Sequence, residues 1–334
     1  MNKKYVKLGF ALAIAIAAVA AWWFLYFTKT PTYSLKIVRT AIQQQDIETF
    51  KKHVDLDTLM DAAIDDFISS DDKVAEMKNN PFTAGLLQML KPTLVEYSKK
   101  SIYSLVEKGK TEEVKPQNDG ASGIANNLPS ISNKSFIGIG ETKKNGKTAT
   151  VELKVNDDEI GGEFTFVIGM RELNDGTWQV TKINNLADYL NAVKEAHKKQ
   201  LKEYLEAYDT TWDESGYGKE VYTSANAARA NPTADNIKRL IEVRDKANES
   251  VAKLPIPAGA KEFNNLRKIR EENLKKANLI RIKYLEQGNI TPEEYKQFNE
   301  FGQKLKEATE KILKIRKSID HDYSPEKSVE KYKL

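Results

Sequence analysis

The chain has 334 residues, 40% hydrophobic and 30% charged, with no cysteine and a formal net charge of +4. The lack of cysteine excludes disulfides, thiolate metal sites and thiol nucleophiles and fits an extracytoplasmic domain. So small a charge on so long a chain gives no sign of nucleic-acid binding. The length accommodates two domains of ordinary size.

Leu8 to Phe27 is an uncharged apolar run of about 20 residues, the length a helix needs to cross a bilayer. It follows Lys3, Lys4 and Lys7 and ends with Trp22, Trp23 and Tyr26, whose amphipathic rings favour the headgroup level. The basic N-terminus predicts a cytoplasmic start and an exported C-terminal part, although Lys29, Lys36 and Arg39 weaken the asymmetry. Ala18-Val19-Ala20 has the spacing that signal peptidase accepts. Cleavage there would expose AWWFLYF, whose burial in lipid is worth several kcal/mol at roughly 25 cal/mol per Å². An uncleaved signal anchor is therefore expected, with the lipid bilayer as partner and the cell (cytoplasmic) membrane as location.

From Pro31 the pattern is helical and short-stepped. Leu35, Val38 and Ile42 share one face, and Asp46 stands as N-cap of a second helix with Ile47, Phe50 and Val54 inward. Asp55 or Asp57 caps a third, through Leu59, Ala63 and Phe67. After Asn80-Pro81 a run with Leu86, Leu87, Met89, Leu90, Leu94, Val95, Ile102, Leu105 and Val106 has a broad apolar face and predicts deep burial. Residues 115–133 lack periodicity and concentrate Pro, Gly, Asn and Ser, as a linker does.

The period then changes to two. Ala149, Val151, Leu153 and Val155 alternate with polar residues, as do Phe164, Phe166, Ile168 and Met170. Asn145-Gly146 predicts a type I′ hairpin, and Asn174-Asp175-Gly176 a turn before Trp178 and Val180. A four-stranded antiparallel meander starting near Phe136 follows.

After Asn184-Asn185 the chain reads as helix almost to its end. Leu186, Leu190, Val193, His197, Leu201, Tyr204 and Tyr208 keep helical spacing, as do Ile237, Leu240, Ala247, Val251 and Leu254 before Pro255 and Pro257. No element is assigned over 210–231, where Trp212, Tyr217 and Tyr222 are expected to pack. A third helix carries Phe263, Leu266, Ile269, Ala277, Ile280 and Tyr284, with Asn273 interrupting its stripe. The fourth starts with Thr291, Pro292 and Glu294, the N-cap, N1 and N3 positions of a capping box. Its Phe298, Phe301, Leu305, Ala308, Ile312, Ile315 and Ile319 form a heptad seam. The short Gln287-Gly288-Asn289-Ile290 turn makes the third helix its natural antiparallel partner, with intermolecular coiled-coil pairing as the alternative.

No candidate for chemistry outweighs its structural explanation. Asp55, Asp57 and Asp61 fail the spacing of a calcium loop and suit helix capping. His53, His197 and His321 are too scattered for zinc, and Gly138-Ile139-Gly140 lacks the third glycine of a dinucleotide loop. Lys311, Lys314, Arg316, Lys317, Lys327, Lys331 and Lys333 read as a solvated face, with pairs such as Glu307–Lys311 and Glu310–Lys314; the sharper alternative is an anionic headgroup or an acidic envelope polymer. No catalytic, cofactor-binding or metal residues are assigned.

Pro31, Tyr33, Ala41, Asp46, Phe50, Val54 and Asp55, followed by the meander ending in Trp178-Gln179-Val180, resemble the cone-shaped α+β fold of the nuclear transport factor two superfamily. The same positions resemble a bacterial family of membrane-anchored proteins of unknown function. The likeness spans about residues 1–186. It implies a curved sheet around helices, in a superfamily that includes enzymes and binding modules, so fold alone does not assign function. If the chain were an isomerase or dehydratase, Asp65, Asp66, His53 or Tyr97 would be the acid or base.

The fold class expected is therefore α+β: a transmembrane anchor with its cytoplasmic stub (1–30), a cone-like domain (31–186), then a mostly α-helical bundle or hairpin (187–334). The expected function is that of a non-enzymatic extracytoplasmic binding or interaction module, reaching protein partners through the helical domain. The alternative is a cavity for a lipid or small apolar ligand, lined by Phe164, Phe166 and Met170.

Overall fold

The computed structural model describes residues 26–70, 81–109 and 134–333. The linker at 115–133 and all of the apolar run but Tyr26 and Phe27 lie outside the described residues. No described helix is long and apolar enough to cross a membrane. The chain is α+β, and it divides into two compact units, residues 1–193 and 194–334.

The first unit starts with local signals that need no tertiary help. In α1 (Pro31–Gln44) the Tyr33 amide donates to Thr30 Oγ1 at 3.2 Å, and Pro31 occupies the first turn, where a missing N–H costs nothing. Helix α2 (Ile47–His53) is capped by Asp46, which accepts from the amide and hydroxyl of Thr49 at 3.0 and 2.6 Å. Asp55, the first of the two predicted caps, does the same for α3 (Leu56–Ser70) through Thr58 at 3.1 and 2.9 Å. Two inward assignments fail. Ile42 is 40% exposed because the buried stripe of α1 runs through Ala41 instead, and Met89 in α4 (Pro81–Lys108) is 77% exposed while Leu87, Leu90 and Leu94 turn inward.

Strands β1 (Lys134–Asn145), β2 (Thr148–Asp157), β3 (Gly162–Glu172) and β4 (Trp178–Ile183) form an antiparallel meander in chain order. Its alternation is as predicted: Ala149, Val151 and Val155 on β2 and Phe166, Ile168 and Met170 on β3 are buried in one core with Leu35, Phe50, Leu59 and Val106 of the helices. The first turn differs in register. Asn145 still pairs with Thr148, so Gly146 and Lys147 are central and only Gly146 has positive φ, at 59°. A glycine at the first central position belongs to a type II′ turn, not the predicted type I′.

Trp178, fully buried, joins the sheet to the helices. Its Nε1 donates to the Lys29 carbonyl and its amide to Ser34 Oγ, while its carbonyl accepts from His53 Nδ1, each at 3.0 Å. Where the meander ends, Asn185 accepts from the Val167 amide at 2.8 Å and donates to the Thr165 carbonyl at 2.9 Å, tying the start of α5 (Leu186–Glu214) to β3.

The second unit is helical. The last part of α5 is followed by α6 (Tyr217–Ala230), α7 (Ala234–Val251), α8 (Lys261–Gln287), α9 (Pro292–Ile319) and the short α10 (Pro325–Ser328). Helix α6 occupies the stretch left unassigned from sequence; Gly216, at φ 75°, makes the turn that α5 needs to enter it. Helices α8 and α9 pack side by side across Gly288, at φ 76°, and Thr291 and Glu294 form the predicted capping box. The predicted faces hold in part, with Phe263 and Ala277 buried on α8. Ile269 and Tyr284 are 43% and 52% exposed, whereas Asn264, Arg267 and Asn273 are buried on α8. The seam of α9 is buried at Ala308 and Ile312 but reaches 36% exposure at Phe298. Its predicted charge ladder is also different: Glu307 takes Gln303 at 2.8 Å.

Candidate functional site

In the first unit the candidate residues serve structure. Phe164, Phe166 and Tyr189 pack edge-to-face or tilted, with ring centroids 4.9–5.1 Å apart, and Phe166 and Met170 are 8% and 2% exposed, so these side chains fill the space beneath the sheet. His53 is buried on the Trp178 carbonyl. Asp65 and Asp61 both pair with Lys91, and Asp57 with Lys99. Among the described residues, no hydrogen bond or ion pair joins any two of Asp65, Asp66, His53 and Tyr97, and Tyr97 is half-buried.

The second unit contains a cleft of about 620 Å³. Five helices and the C-terminal segment line it through helical spacing. Tyr208 and Trp212, one turn apart on α5, stack at 6.0 Å with their planes 15° apart, and Asp209 and Asp213 follow them one position later. Helix α6 supplies Gly218, Tyr222, Ala225 and Arg229; α7 supplies Arg244; α8 supplies Phe263, Arg267 and Arg270; α9 supplies Ile312 and Arg316. The segment after α9 lines the cleft with Tyr323, Glu326, Lys331 and Tyr332. It is held by Asp213, which accepts from both Lys331 Nζ and the Tyr332 hydroxyl, and by the Tyr222–Tyr332 ring contact at 6.0 Å.

Six basic and three acidic side chains line this cleft, and they are unequally matched. Arg316 forms a two-pronged pair with Asp209, both bonds 2.8 Å, and lies over Tyr323, Phe263 and Tyr208 at 4.9–5.7 Å. It is buried, and Lys331 is paired; two of the basic residues expected on a solvated face are thus structural. Arg244 and Arg270 share one carboxylate, Glu271, each with a bond of 2.7 Å. Burial alone would push the Glu271 carboxyl up, but the two guanidinium charges outweigh it and bring it down to about 2.

Arg267 is different. It is 4% exposed, and its Nη groups donate to two neutral amides, Asn248 Oδ1 at 2.7 Å and Asn264 Oδ1 at 3.2 Å. Its Nε is buried without an acceptor, and no carboxylate among the described residues pairs with it. Arg229, at the exposed rim, donates to Asn226 Oδ1 at 3.2 Å and likewise has no carboxylate among the described residues. An arginine cannot shed its charge by deprotonation, and an uncompensated buried ion costs several kcal/mol.

Sequence reading missed Arg229, Arg244, Arg267 and Arg270, which lie on three different helices, and placed Arg316 on a solvated face. One signal was available: Arg267 follows Phe263, and Arg316 follows Ile312, by one helical turn, so both arginines fall on apolar stripes. Comparison with protein-family models, with curated proteins and with solved structures found no match for this chain.

Proposed function

We propose that this protein is a non-enzymatic, membrane-anchored binding protein. Its first unit serves as a packed scaffold, cone-like in its arrangement of meander and helices, and its helical unit takes a small ligand in the cleft. The carrying observation is the contrast between the two: side chains occupy the space beneath the sheet, while the helical unit holds open about 620 Å³ lined by convergent aromatic and charged groups. A cleft of that size is in the range of small-molecule sites. The apolar run at Leu8 to Phe27 supports the anchor, with the C-terminal units outside the cytoplasm.

A thermal-shift panel on the detergent-solubilised full chain tests this, using anionic, neutral and cationic small molecules beside an Ala225→Trp variant that fills the cleft. At least one compound class should raise the melting temperature of the native chain, lose its effect in the variant, and be recovered chemically unchanged. A panel with no active compound, an effect indifferent to Ala225→Trp, or turnover of the bound compound would overturn the reading.

A further inference from the structure

We propose that the cleft binds a phosphate monoester bearing a flat ring, with Arg267 and Arg229 holding the phosphate and the aromatic walls holding the ring. This rests on the binding role proposed for the helical unit and names its ligand class.

Charge is the first argument. Once Arg316 is assigned to Asp209, Lys331 to Asp213, and Glu271 to Arg244 and Arg270 together, three positive charges remain against the single carboxylate of Glu326, and Arg267 and Arg229 carry two of them. Arg267 is the informative member. A buried guanidinium that bonds only to amide oxygens, with the Tyr208 ring 5.9 Å away, keeps its full charge, and folding gains more from an apolar side chain there unless something supplies a counter-charge. Only two of its five N–H groups donate to the two amides, and its Nε–H meets no acceptor. An anion can therefore be received without breaking the contacts to Asn248 and Asn264.

Shape and valence narrow the class. The planar guanidinium fork matches the oxygens of phosphate and carboxylate. Two arginines without carboxylates, next to a third charge shared across Glu271, suit a dianion better than a monoanion, and a phosphate monoester carries roughly −1.5 to −2 at neutral pH. Half-buried Trp212, backed by the buried ring of Tyr208, and the Tyr222–Tyr332 pair present ring surfaces within the same cleft. Flat apolar groups stack well on such surfaces.

Isothermal titration of the detergent-solubilised full chain tests the assignment, with phenyl phosphate, inorganic phosphate and phenol as probes. Short-chain phosphatidate, with short-chain phosphatidylcholine as its control, separates a lipid headgroup from a soluble ester. Phenyl phosphate should bind saturably, inorganic phosphate and the ring-free phosphatidate more weakly, and phenol and phosphatidylcholine not at all. Arg267→Met should weaken the phosphate ester by about 10- to 100-fold, the worth of a charge-assisted fork, without lowering the melting temperature. A purely structural arginine would give the reverse: a lower melting temperature and unchanged affinity. Should Arg267→Met fail to fold, the exposed Arg229→Gln variant provides the same test and should lose affinity several-fold. Absence of saturable binding by phenyl phosphate, tighter binding of phosphatidate than of phenyl phosphate, or equal affinity in every folded variant overturns the proposal. If neutral or cationic compounds still bind in a manner sensitive to Ala225→Trp, only the ligand class is wrong; if no compound binds, the binding role fails with it.

Discussion

Trp178 bonds through its indole, amide and carbonyl to three different parts of the first unit while filling its core. Trp178→Ala should cost about 3–5 kcal/mol, the range for removing a buried large aromatic, whereas Trp178→Phe keeps most of the volume and should lose only about 1 kcal/mol with the Nε1 bond; urea unfolding measures both. In the second unit the corresponding residue is Glu271. Its carboxyl, at about 2 in the fold, lies below the unfolded value near ~4.3, so its stabilisation is complete at neutral pH and fades as pH falls from roughly 5 toward 2. Glu271→Gln should therefore be less stable than the native chain at pH ~7 by on the order of 3 kcal/mol, with the gap about halved near pH ~3. A gap that does not change over this range would mean that Glu271 is not the ionised partner of Arg244 and Arg270. At this scale the sequence was informative for the caps Asp46, Asp55 and Thr291, whose partners lie three residues away. It was silent about Glu271 and Arg267, because Arg244 and Asn248 reach them from another helix.

Elements were legible where one physical signal dominated. The capping box of α9 is such a signal, and Thr291→Ala should cost about 1 kcal/mol and speed amide exchange in the first turn of that helix. The turn before α8 depends on something no local pattern reveals. A Cβ at Gly259 would collide with the backbone of His197, which cannot rotate away as a side chain would, so Gly259→Ala should destabilise by about 1–3 kcal/mol in a thermal or urea melt. Helix α6 escaped notice because its buried stripe is Gly218, Val221, Ser224 and Ala228, small residues with little hydrophobic contrast. Helix α8 was recognised, and Phe263 and Ala277 were rightly assigned inward, but Ile269 and Tyr284 were not. Hydropathy counts Asn264 and Arg267 as outward and Asn273 as a break in the stripe, yet all three are buried, with hydrogen bonds to Asn248, to each other or to the Ile269 carbonyl, although the Arg267 Nε is left without an acceptor.

For the whole molecule, the anchor is the first expectation to test. The full chain should stay with membranes through alkaline carbonate extraction, and a chain lacking residues 1–26 should move to the soluble fraction while still folding. That boundary keeps Lys29, whose carbonyl receives the Trp178 indole. A truncated chain that remains in the membrane pellet would show that Leu8 to Phe27 is not what holds the protein there. By itself the sequence determined the α-then-β-then-α order, the meander, the helix caps and the α8–α9 turn, because period, capping and turn chemistry act over a few residues. Only the tertiary structure decided which polar groups go inside, and it brought Arg229, Arg244, Arg267, Arg270 and Arg316 from four helices to one cleft. The physical reason is range: whether a buried charge finds a counter-charge depends on how distant helices close against one another, and no local periodicity encodes that.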